Sequence, residues 1–519
     1  MADTEVKSPA MQASESTPVR GRLAPPMPSD GLWGWAGPLL VTAFAAFLRF
    51  DRLSVPRGIV FDEHYYVPDA FGILNYGVEH SLVKGYSDSL VAHGRTHIFS
   101  SGGEFVVHPP LGKVLIAAGE GIYGLTPFGW RFAVALVGSL AVLLLARIAR
   151  RMTRSTLLGC VAGLLLALDG LEFAMSRTAL LDIFMMFWIL AAFGCLVIDR
   201  DHARTRLAAS TIEPTDGPGP GLGVRWWRVL AGACFGLACA SKWDGIWYVA
   251  AFTALAVAWD VGARRAAGFR RFGRGALADG GRLIPSMLLV ALATYIASWS
   301  GWFASSIGWD RNYAVQHGVK IPVVSALYSL WAYHREMWHF HITLHAHHPY
   351  QSQPWTWLVM SRPVAFFYTS PSAGHNGCQV AHCSQAILAI GTPTIWWASI
   401  VALTVLAVWW LLHRDWRAGA VLLGVGAGWL PWFAFPDRTK FFFYALSFEP
   451  FLILAITLCL GLILGSASSS PLRRGAGSAI VGGYLLVVVL NFFYLYPILA
   501  AKVIPYSSWH ARMWFSSWI

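Results

Sequence analysis

Two adjacent carboxylates, Asp62 and Glu63, lie just after the first long apolar run, within residues 61–66 (FDEHYY). Acids beside a membrane are costly to hold and are functional when they are shielded from water. A shielded carboxylate can serve as a general base that takes the proton of an attacking hydroxyl group. A hydrated acid pair at the start of a short helix is the structural alternative, and the residues alone leave both interpretations open.

His108 and Arg131 are the next polar positions near an apolar run. His108 begins the segment 108–113 (HPPLGK), whose two prolines predict the start of a short helix at 111–123 lying along the membrane surface. His108 is therefore a candidate for substrate contact or for scaffolding. Arg131 stands at the start of the second apolar run, where a guanidinium needs an anionic partner or extends to the membrane interface.

Three cations follow in short polar connections between later apolar runs. Lys242 lies in residues 241–245 (SKWDG), and Arg438 and Lys440 lie in residues 437–444 (DRTKFFFY). A lysine can meet a phosphate as a compact charge, whereas an arginine can grip it through two parallel hydrogen bonds. The three residues are therefore candidates for binding a lipid phosphate, although Asp244 could partly neutralise Lys242.

Further candidates are acids and an arginine near residues 169–182, together with an aromatic segment. Asp169 is a candidate supporting carboxylate. Arg177 and Asp182 lie about a turn and a half apart and are expected to pair with each other or to face one cavity. Trp355 belongs to an aromatic segment suited to a sugar, a polyprenyl chain or simply the membrane interface. Histidines spaced like His341 and His345 can bind zinc, but no firm ligand pattern accompanies them.

Composition places these residues in a membrane protein. The chain has 519 residues, of which 56% are hydrophobic and 13% charged, against about 25% charged in soluble domains. The 26 tryptophans suit an interfacial belt. The formal charge of +12 does not indicate nucleic-acid binding, because the arginines cluster in short loops between apolar runs.

The apolar runs predict an all-α integral membrane protein with about 11 transmembrane helices. Arginine-rich loops of one side are expected to be cytoplasmic, which places the N-terminus inside and the long loops 52–127 and 304–385 outside. We further expect a disordered cytoplasmic tail at 1–31, a catalytic membrane domain at 32–500 and an extracytoplasmic tail at 501–519. The predicted spans are 33–51, 128–147, 155–172, 178–198, 227–241, 245–262, 283–303, 386–412, 417–435, 441–465 and 477–499.

Two of the seven cysteines differ from the others in their surroundings. Cys378 and Cys383 lie in a polar stretch of the second long loop, whereas the remaining five lie in apolar runs. Disulfides persist outside the cytoplasm, and the short separation of the two residues permits a bridge without requiring one.

The order and placement of these motifs resemble the actinobacterial and eukaryotic protein O-mannosyltransferases, membrane enzymes of the GT-C glycosyltransferase type. The resemblance extends from about Trp33 to Pro497. It rests on the acid pair at residues 62–63, the segments 108–113 and 241–245, and the segment 352–357 (SQPWTW), after which Leu358 replaces the usual proline. The large domain that eukaryotic members insert in the second long loop is absent from this sequence, which favours a bacterial member.

The resemblance implies a GT-C bundle that transfers mannose from polyprenyl-phosphate mannose to Ser or Thr hydroxyls of a polypeptide during secretion, with inversion. It implies Asp62 as the base, Glu63 as the partner that orients the base or the acceptor, and Arg438 and Lys242 as phosphate ligands. We expect a multi-pass protein of the plasma membrane, surrounded by lipid, with its active site outside. No cofactor is required by these residues, and a divalent metal is left open.

Two alternatives remain from the sequence. The first is a GT-C transferase with a lipid or glycan acceptor. The second is a transporter, which should show repeated halves and broken helices at the midplane, whereas this chain concentrates its charges in loops.

Overall fold

The described part of the protein, residues 23–210, 217–466 and 468–519 of a computed structural model, is a bundle of long helices. Seven helices are long and apolar enough to cross a membrane. A span needs about 20 apolar residues, because each helical residue adds ~1.5 Å. The predicted multi-pass helical membrane architecture is therefore confirmed. The seven helices are Trp33–Phe50, Pro127–Thr153, Asp182–Ala209, Gly245–Ala266, Phe272–Ser298, Pro393–His413 and Pro471–Leu499.

Four shorter helices complete the bundle. Each of the predicted apolar runs contains a helix, but some bounds differ. The run at 386–412 yields a helix only from Pro393, because its first residues belong to a β-strand. The run at 441–465 begins as a 3₁₀ turn before it becomes α-helical. The number of crossings stays a prediction. The shorter helices are Thr156–Ala167, Trp226–Ser241, Trp416–Trp429 and Glu449–Leu464.

Small residues let two neighbouring helices of the bundle approach closely. A Cβ added at Gly232 would lie 2.5 Å from the Met287 carbonyl oxygen, and one at Gly236 would lie 2.4 Å from that of Ala291. Two glycines four residues apart on one helix face permit such backbone contact in membranes. This contact fixes the helix Trp226–Ser241, and with it the position of the residues that follow Ser241.

The first long loop folds as helices and a short hairpin. The predicted helix at 111–123 is confirmed as Leu111–Tyr123. The antiparallel hairpin pairs His80 with Gly103 and Leu82 with Phe99. The loop's elements are the helices Glu63–Tyr76, Asp88–Ala92 and Leu111–Tyr123 and the strands His80–Leu82 and Phe99–Gly103.

The second long loop adds a helical part and an antiparallel sheet, so the fold is not wholly α-helical. Strand Cys383–Ala389 is the centre of the sheet, between Val364–Thr369 and Ile504–Pro505. A disulfide joins Cys378 and Cys383, as the sequence permitted. The helices of this loop are Tyr313–Gln316 and Pro322–Thr343, and the short helix Ser300–Ala304 leads into it.

The two predicted tails make contacts with the folded chain. Residues 1–22 of the tail predicted as disordered lie outside the described residues. Two residues from the rest of that tail contact the bundle: Leu23 is buried, and the Asp30 carboxylate lies 2.5 Å from Arg150 Nη2. At the other terminus, residues 501–519 contribute a sheet strand and the helix Tyr506–His510, and the Trp518 indole donates to the Met360 carbonyl at 2.8 Å.

Candidate active site

Asp62 lies at the turn where the first long loop enters the helix Glu63–Tyr76. The preceding residue, Phe61, has a φ of +48°, and its ring stacks on Phe366 with centroids 4.6 Å apart. The Asp62 side chain does not cap the helix and forms no ion pair with any described residue. Burial raises the pKa of Asp62 to about 6, with the Lys242 charge opposing the rise and Asp182 adding to it. This carboxylate is therefore uncommitted and titrates near neutral pH.

Glu63, the adjacent acid, is fully committed. Arg131 Nε and Nη2 donate to its two oxygens at 2.7 and 2.8 Å, and the backbone N–H groups of Val60 and Ala179 each donate at 3.0 Å. A carboxylate accepts about four hydrogen bonds, and the side chain is 0% exposed. No oxygen is left for an acceptor molecule, so the structure gives Glu63 a role in holding the loop that carries Asp62. Whether it thereby orients the base stays a prediction.

Arg131 completes this support. Beyond Glu63, its guanidinium donates to the carbonyls of Pro56 at 2.9 Å and Gly58 at 2.7 Å, residues of the loop just before Asp62. It is 0% exposed. The expected anionic partner of Arg131 is thus Glu63 rather than a substrate.

Lys242 pairs with Asp182, not with a residue of its own loop. The ammonium nitrogen lies 2.8 Å from Asp182 Oδ1 and 4.4 Å from the centre of the Tyr444 ring. Three chain segments therefore meet at this cation, and Asp62 feels the charge of both partners. An ammonium has three donors, so the pair leaves Lys242 able to bind a further acceptor.

Arg438 approaches the same place from the far part of the chain. Its Nε donates to the His341 carbonyl at 3.2 Å, its Nη2 lies 3.4 Å from His341 Nδ1, and its guanidinium lies over the Trp432 ring at 5.4 Å. It forms no ion pair with a described carboxylate. A guanidinium has five N–H donors, so Arg438 retains donors and an unneutralised charge.

His341 is held as a neutral ring. Its Nε2 donates to the Val107 carbonyl at 2.8 Å, which leaves Nδ1 as an acceptor toward Arg438. Burial, aided by the Arg438 charge, lowers the pKa of His341 to about 4. The ring thus aims Arg438 without adding a positive charge of its own.

His108 stacks near His341, with ring centroids 5.3 Å apart. Burial and the nearby Lys242 charge hold the pKa of His108 well below its usual range. Its Nδ1 is buried and has no partner among the described residues. The ring is therefore neutral, and its buried Nδ1 is left without a hydrogen bond.

These cations and histidines share one cavity of about 520 Å³. Its polar lining is formed by His108, Lys242, Asp244, His334, His341 and Arg438, and the rest of its wall is largely apolar and aromatic. An anionic head followed by a hydrocarbon chain matches this division. The cavity is referred to below as the cation cavity. Its apolar wall includes Ile246, Trp247, Val249, Leu288, Ala291 and Leu292.

Two other predicted site residues serve the bundle rather than the cavity. Arg177 does not pair with Asp182, which corrects the expectation. Its guanidinium instead donates to the carbonyls of Leu48, Arg49 and Asp51, the orphan acceptors at the end of the first helix. Asp169 caps the helix Gly170–Met175 through the Leu171 amide at 2.8 Å and accepts from the Trp396 indole at 2.9 Å.

Neither Lys440 nor Trp355 lines the cation cavity. The Lys440 ammonium donates to the carbonyls of Phe435 and Pro436, which bends its own loop and directs at least two of its donors away from a ligand. Trp355 is 62% exposed and packs near Phe433, with centroids 6.3 Å apart.

The sequence interpretation favoured a hydrogen-bonding role for the histidines of this loop over zinc binding, but it did not identify Arg438 as the partner of His341. A zinc site with His345 does not form: Nε2 of His341 is bonded to Val107, and His345 Nδ1 lies 3.1 Å from the Asp437 carbonyl oxygen. No group of three or more metal-ligating side chains occurs within residues 23–210, 217–466 and 468–519. The pattern of aromatic residues around 338–341 does not indicate that His341 contacts Arg438.

Membrane-length helices and two long loops folded beside the cation cavity give this chain the fold of the GT-C membrane glycosyltransferases. The fold agrees with the structure of the Saccharomyces cerevisiae protein O-mannosyltransferase Pmt1–Pmt2 complex bound to the sugar donor. The TM-score is 0.71 at 16% identity, over 98% of this chain and 94% of that one.

Family models and full-length relatives carry the assignment further. Residues 122–265 match the dolichyl-phosphate-mannose-protein mannosyltransferase family, and residues 326–518 match the C-terminal four-transmembrane region of protein O-mannosyltransferases. Polyprenol-phosphate-mannose–protein mannosyltransferases of Mycobacterium tuberculosis and Mycolicibacterium smegmatis are each 40% identical, over 95% and 97% of this chain and 93% and 98% of theirs. The chain belongs to the polyprenol-phosphate-mannose–protein mannosyltransferase family.

Proposed function

We propose that this protein transfers mannose from polyprenyl-phosphate mannose to Ser or Thr hydroxyls of polypeptides, with inversion at the anomeric carbon. The observation that carries the proposal is the uncommitted Asp62 carboxylate within the electrostatic reach of Lys242, which lines the cation cavity. The two substrate types named for the relatives, a lipid-linked mannose and a protein, need these two features: a site for an anionic lipid and a base for a hydroxyl.

Donor binding follows from the composition of the cation cavity. Lys242 and Arg438 have N–H donors to spare in its polar lining, and a phosphate diester attracts both of them. The first isoprene units fit along the apolar wall formed by the helices Trp226–Ser241, Gly245–Ala266 and Phe272–Ser298. The two cations also stabilise the phosphate as the leaving group, since its negative charge grows as the sugar departs.

Hydroxyl activation falls to Asp62. The acceptor hydroxyl oxygen attacks the anomeric carbon while its proton passes to the Asp62 carboxylate, and the bond from that carbon to the phosphate oxygen breaks. The products are the mannosylated chain and polyprenyl phosphate. A base of pKa about 6 is largely ionised at neutral pH yet still a useful proton acceptor.

Inversion is expected because two of the acids around Asp62 and Lys242 are already bonded to cations; a third, Asp244, lines the cation cavity without an ion pair among the described residues. Asp182 is bonded to Lys242, and Glu63 is bonded to Arg131. A retaining reaction by double displacement needs a carboxylate nucleophile on the sugar's other face. A single displacement therefore suits the residues present.

A location in the plasma membrane is part of this proposal. Arginines in the loops at the end of the bundle away from Asp62 support an orientation with the N-terminus cytoplasmic and the active site outside. Examples are Arg147, Arg151, Arg265, Arg414 and Arg474. Impermeant labelling of single cysteines placed at Ser89 and Ser372 in intact cells tests this orientation. Protection of either position would overturn it.

The activity is tested by incubating the purified enzyme with radiolabelled polyprenyl-phosphate mannose and a Ser/Thr-rich peptide. We expect label in the peptide, with α/β analysis of the linkage reporting inversion. A matched peptide with Ser and Thr replaced by Ala is the control. Label found only in lipid or glycan would favour the alternative acceptor, and donor movement across vesicles without transfer would favour a transporter.

A further inference from the structure

A second and larger cavity, of about 1510 Å³, lies at the opposite end of the bundle from Asp62. It runs between the helices Gly245–Ala266, Pro393–His413 and Trp416–Trp429 and is lined mainly by apolar and aromatic side chains. Its volume exceeds the roughly 300–1,000 Å³ of ordinary small-molecule sites. We call it the arginine groove, because one of its ends is formed by Arg154, Arg200, Arg204, Arg414 and Arg417.

The charges at this end are far from balanced. Asp201 is shared by Arg151 and Arg154 at 2.9 Å and by Arg200 at 3.4 Å, and Asp415 is taken by Arg417 at 2.5 Å. Four arginines thus share two carboxylates. Arg204 and Arg414 form no ion pair with any described residue, so the groove end carries excess positive charge.

Aromatic rings set the depth of this end in the membrane. The Arg200 guanidinium stacks on Trp416 at 3.6 Å, and Trp416 meets Trp259 with centroids 5.5 Å apart. Arg414 lies over the Trp410 ring at 4.9 Å. Tryptophan and arginine collect where headgroups meet hydrocarbon, so the cations lie at headgroup level and the apolar part of the groove extends into the bilayer.

The wall of the groove is open where a chain would lie. A Cβ added at Gly262 meets no atom within 4 Å, and Gly262 follows Ala254 and Ala258 at four-residue intervals on the lining face. At its far end the groove reaches Trp247, Pro431 and Phe435, which also line the cation cavity. The groove is therefore deep enough for an acyl chain.

We propose that the arginine groove binds an anionic phospholipid of the membrane leaflet opposite the active site. Its phosphate contacts Arg200, Arg204 and Arg414, and one acyl chain follows the face of Ala254, Ala258 and Gly262. Basic pockets between membrane helices bind anionic headgroups in this way, and polar contacts select the headgroup while the chain adds apolar burial. The excess of cations favours this occupant over a zwitterionic lipid.

The experiment uses the full-length, delipidated protein in detergent, titrated with dioleoyl phosphatidylglycerol or dioleoyl phosphatidylcholine and read by native mass spectrometry. We expect tighter binding of the phosphatidylglycerol. The double variant Arg204→Gln/Arg414→Gln should weaken its binding about 25-fold, at roughly 1 kcal/mol or about fivefold for each arginine. Phosphatidylcholine binding should not change. Arg274→Gln, an exposed arginine of the same end outside the groove, is the matched control and should behave like the unaltered protein.

A second variant tests the groove without touching a charge. Gly262→Leu places a side chain into open space and should fold normally, which its thermal unfolding midpoint checks. We expect it to lose bound phosphatidylglycerol. Equal binding of both lipids, or phosphatidylglycerol binding that survives the double variant, would overturn the proposal. So would a Gly262→Leu variant that raises donor KM while phosphatidylglycerol binding is unchanged, since the groove would then hold the donor's polyprenyl chain.

Discussion

Two buried clusters of opposite charges, one beside Asp62 and one at the other end of the bundle, are built differently. At the far end Asp199 and Asp260 are each bonded by both Arg225 and Arg228, over distances of 2.5–2.9 Å. Beside Asp62, Lys242 has one carboxylate partner and Arg438 has none among the described residues. Every charge of the far cluster is matched. The cluster beside Asp62 keeps spare N–H donors and a free carboxylate.

This difference indicates that the far cluster stabilises the fold, whereas the cluster beside Asp62 serves the reaction. A buried charge without partners is costly, and a fully bonded cluster avoids that cost while holding several helices in register. The far cluster joins three helices through Asp199, Asp260 and Arg228. Under the proposed function, the unmatched groups beside Asp62 are the ones that the substrates would complete. Substitutions in the two clusters should therefore separate into losses of rate and losses of stability.

The largest expected effect is on the rate, through Asp62. Asp62→Asn keeps the size of the side chain and removes its ability to accept a proton. We expect kcat to fall about 10²–10⁴-fold, with an unchanged unfolding midpoint, because the carboxylate bonds to no described residue.

Mannosyl transfer to the peptide under saturating substrates measures this effect. Asp88→Asn, on a half-exposed acid of the same loop that bonds to His64, is the control and should retain its rate. Near-normal transfer by a correctly inserted Asp62→Asn enzyme would remove Asp62 as the base.

The converse effect belongs to the far cluster. Asp260→Asn leaves Arg225 and Arg228 with a single shared carboxylate in a buried place. Removing one partner of a buried ion pair costs about 3–5 kcal/mol, so we expect a lower unfolding midpoint in detergent and an unchanged kcat per folded molecule. A stable protein that has lost its rate would show that this cluster is more than structural.

The third prediction concerns the donor phosphate and Arg438. Charge-assisted hydrogen bonds contribute about 1.5–3 kcal/mol, so Arg438→Ala should raise the donor KM about 10–150-fold and leave the peptide KM nearly unchanged. Arg438→Lys keeps a charge but not the paired donors. Its donor KM should lie between those of the unaltered enzyme and Arg438→Ala.

Arg335→Ala, on an exposed arginine of the second long loop, is the matched control. If Arg438→Ala changes only the peptide KM and leaves the donor KM unchanged, Lys242 becomes the leading phosphate ligand. Lys440 can replace Arg438 only by releasing the carbonyls of Phe435 and Pro436.

The sequence predicts the positions of the helices but not which charged side chains pair with one another. Apolar runs and prolines locate elements such as Leu111–Tyr123, because those signals are local. Asp62 and Glu63 are neighbours in sequence, yet only Glu63 meets Arg131, 68 residues away. Likewise Asp182 bonds Lys242, 60 residues on, rather than nearby Arg177. Such choices depend on how helices pack, which no local pattern specifies.

The smallest expected effect, and the finest test of the contrast, is the pH dependence of the rate. Burial raises the pKa of Asp62 to about 6, and the base acts only when ionised. Log kcat should therefore be flat above about pH 7 and fall toward one unit per pH unit below pH 6.

Other titratable groups around Asp62 could also produce the fall of log kcat below pH 6. Lys242 and Asp182 act on Asp62 from the facing helices, and His64 acts from its own helix. The rings of His108 and His341, whose pKa values are lowered, stay neutral over this range.

Removing the carboxylate decides the assignment. In Asp62→Asn the residual rate should lose the limb near pH 6, whereas His64→Gln should retain it with a small upward shift, because the lowering charge of His64 is gone. A limb that persists in Asp62→Asn would assign the titration to another group. Asp62 would then not be the base, although it lacks the bonding partners that the carboxylates of the far cluster have.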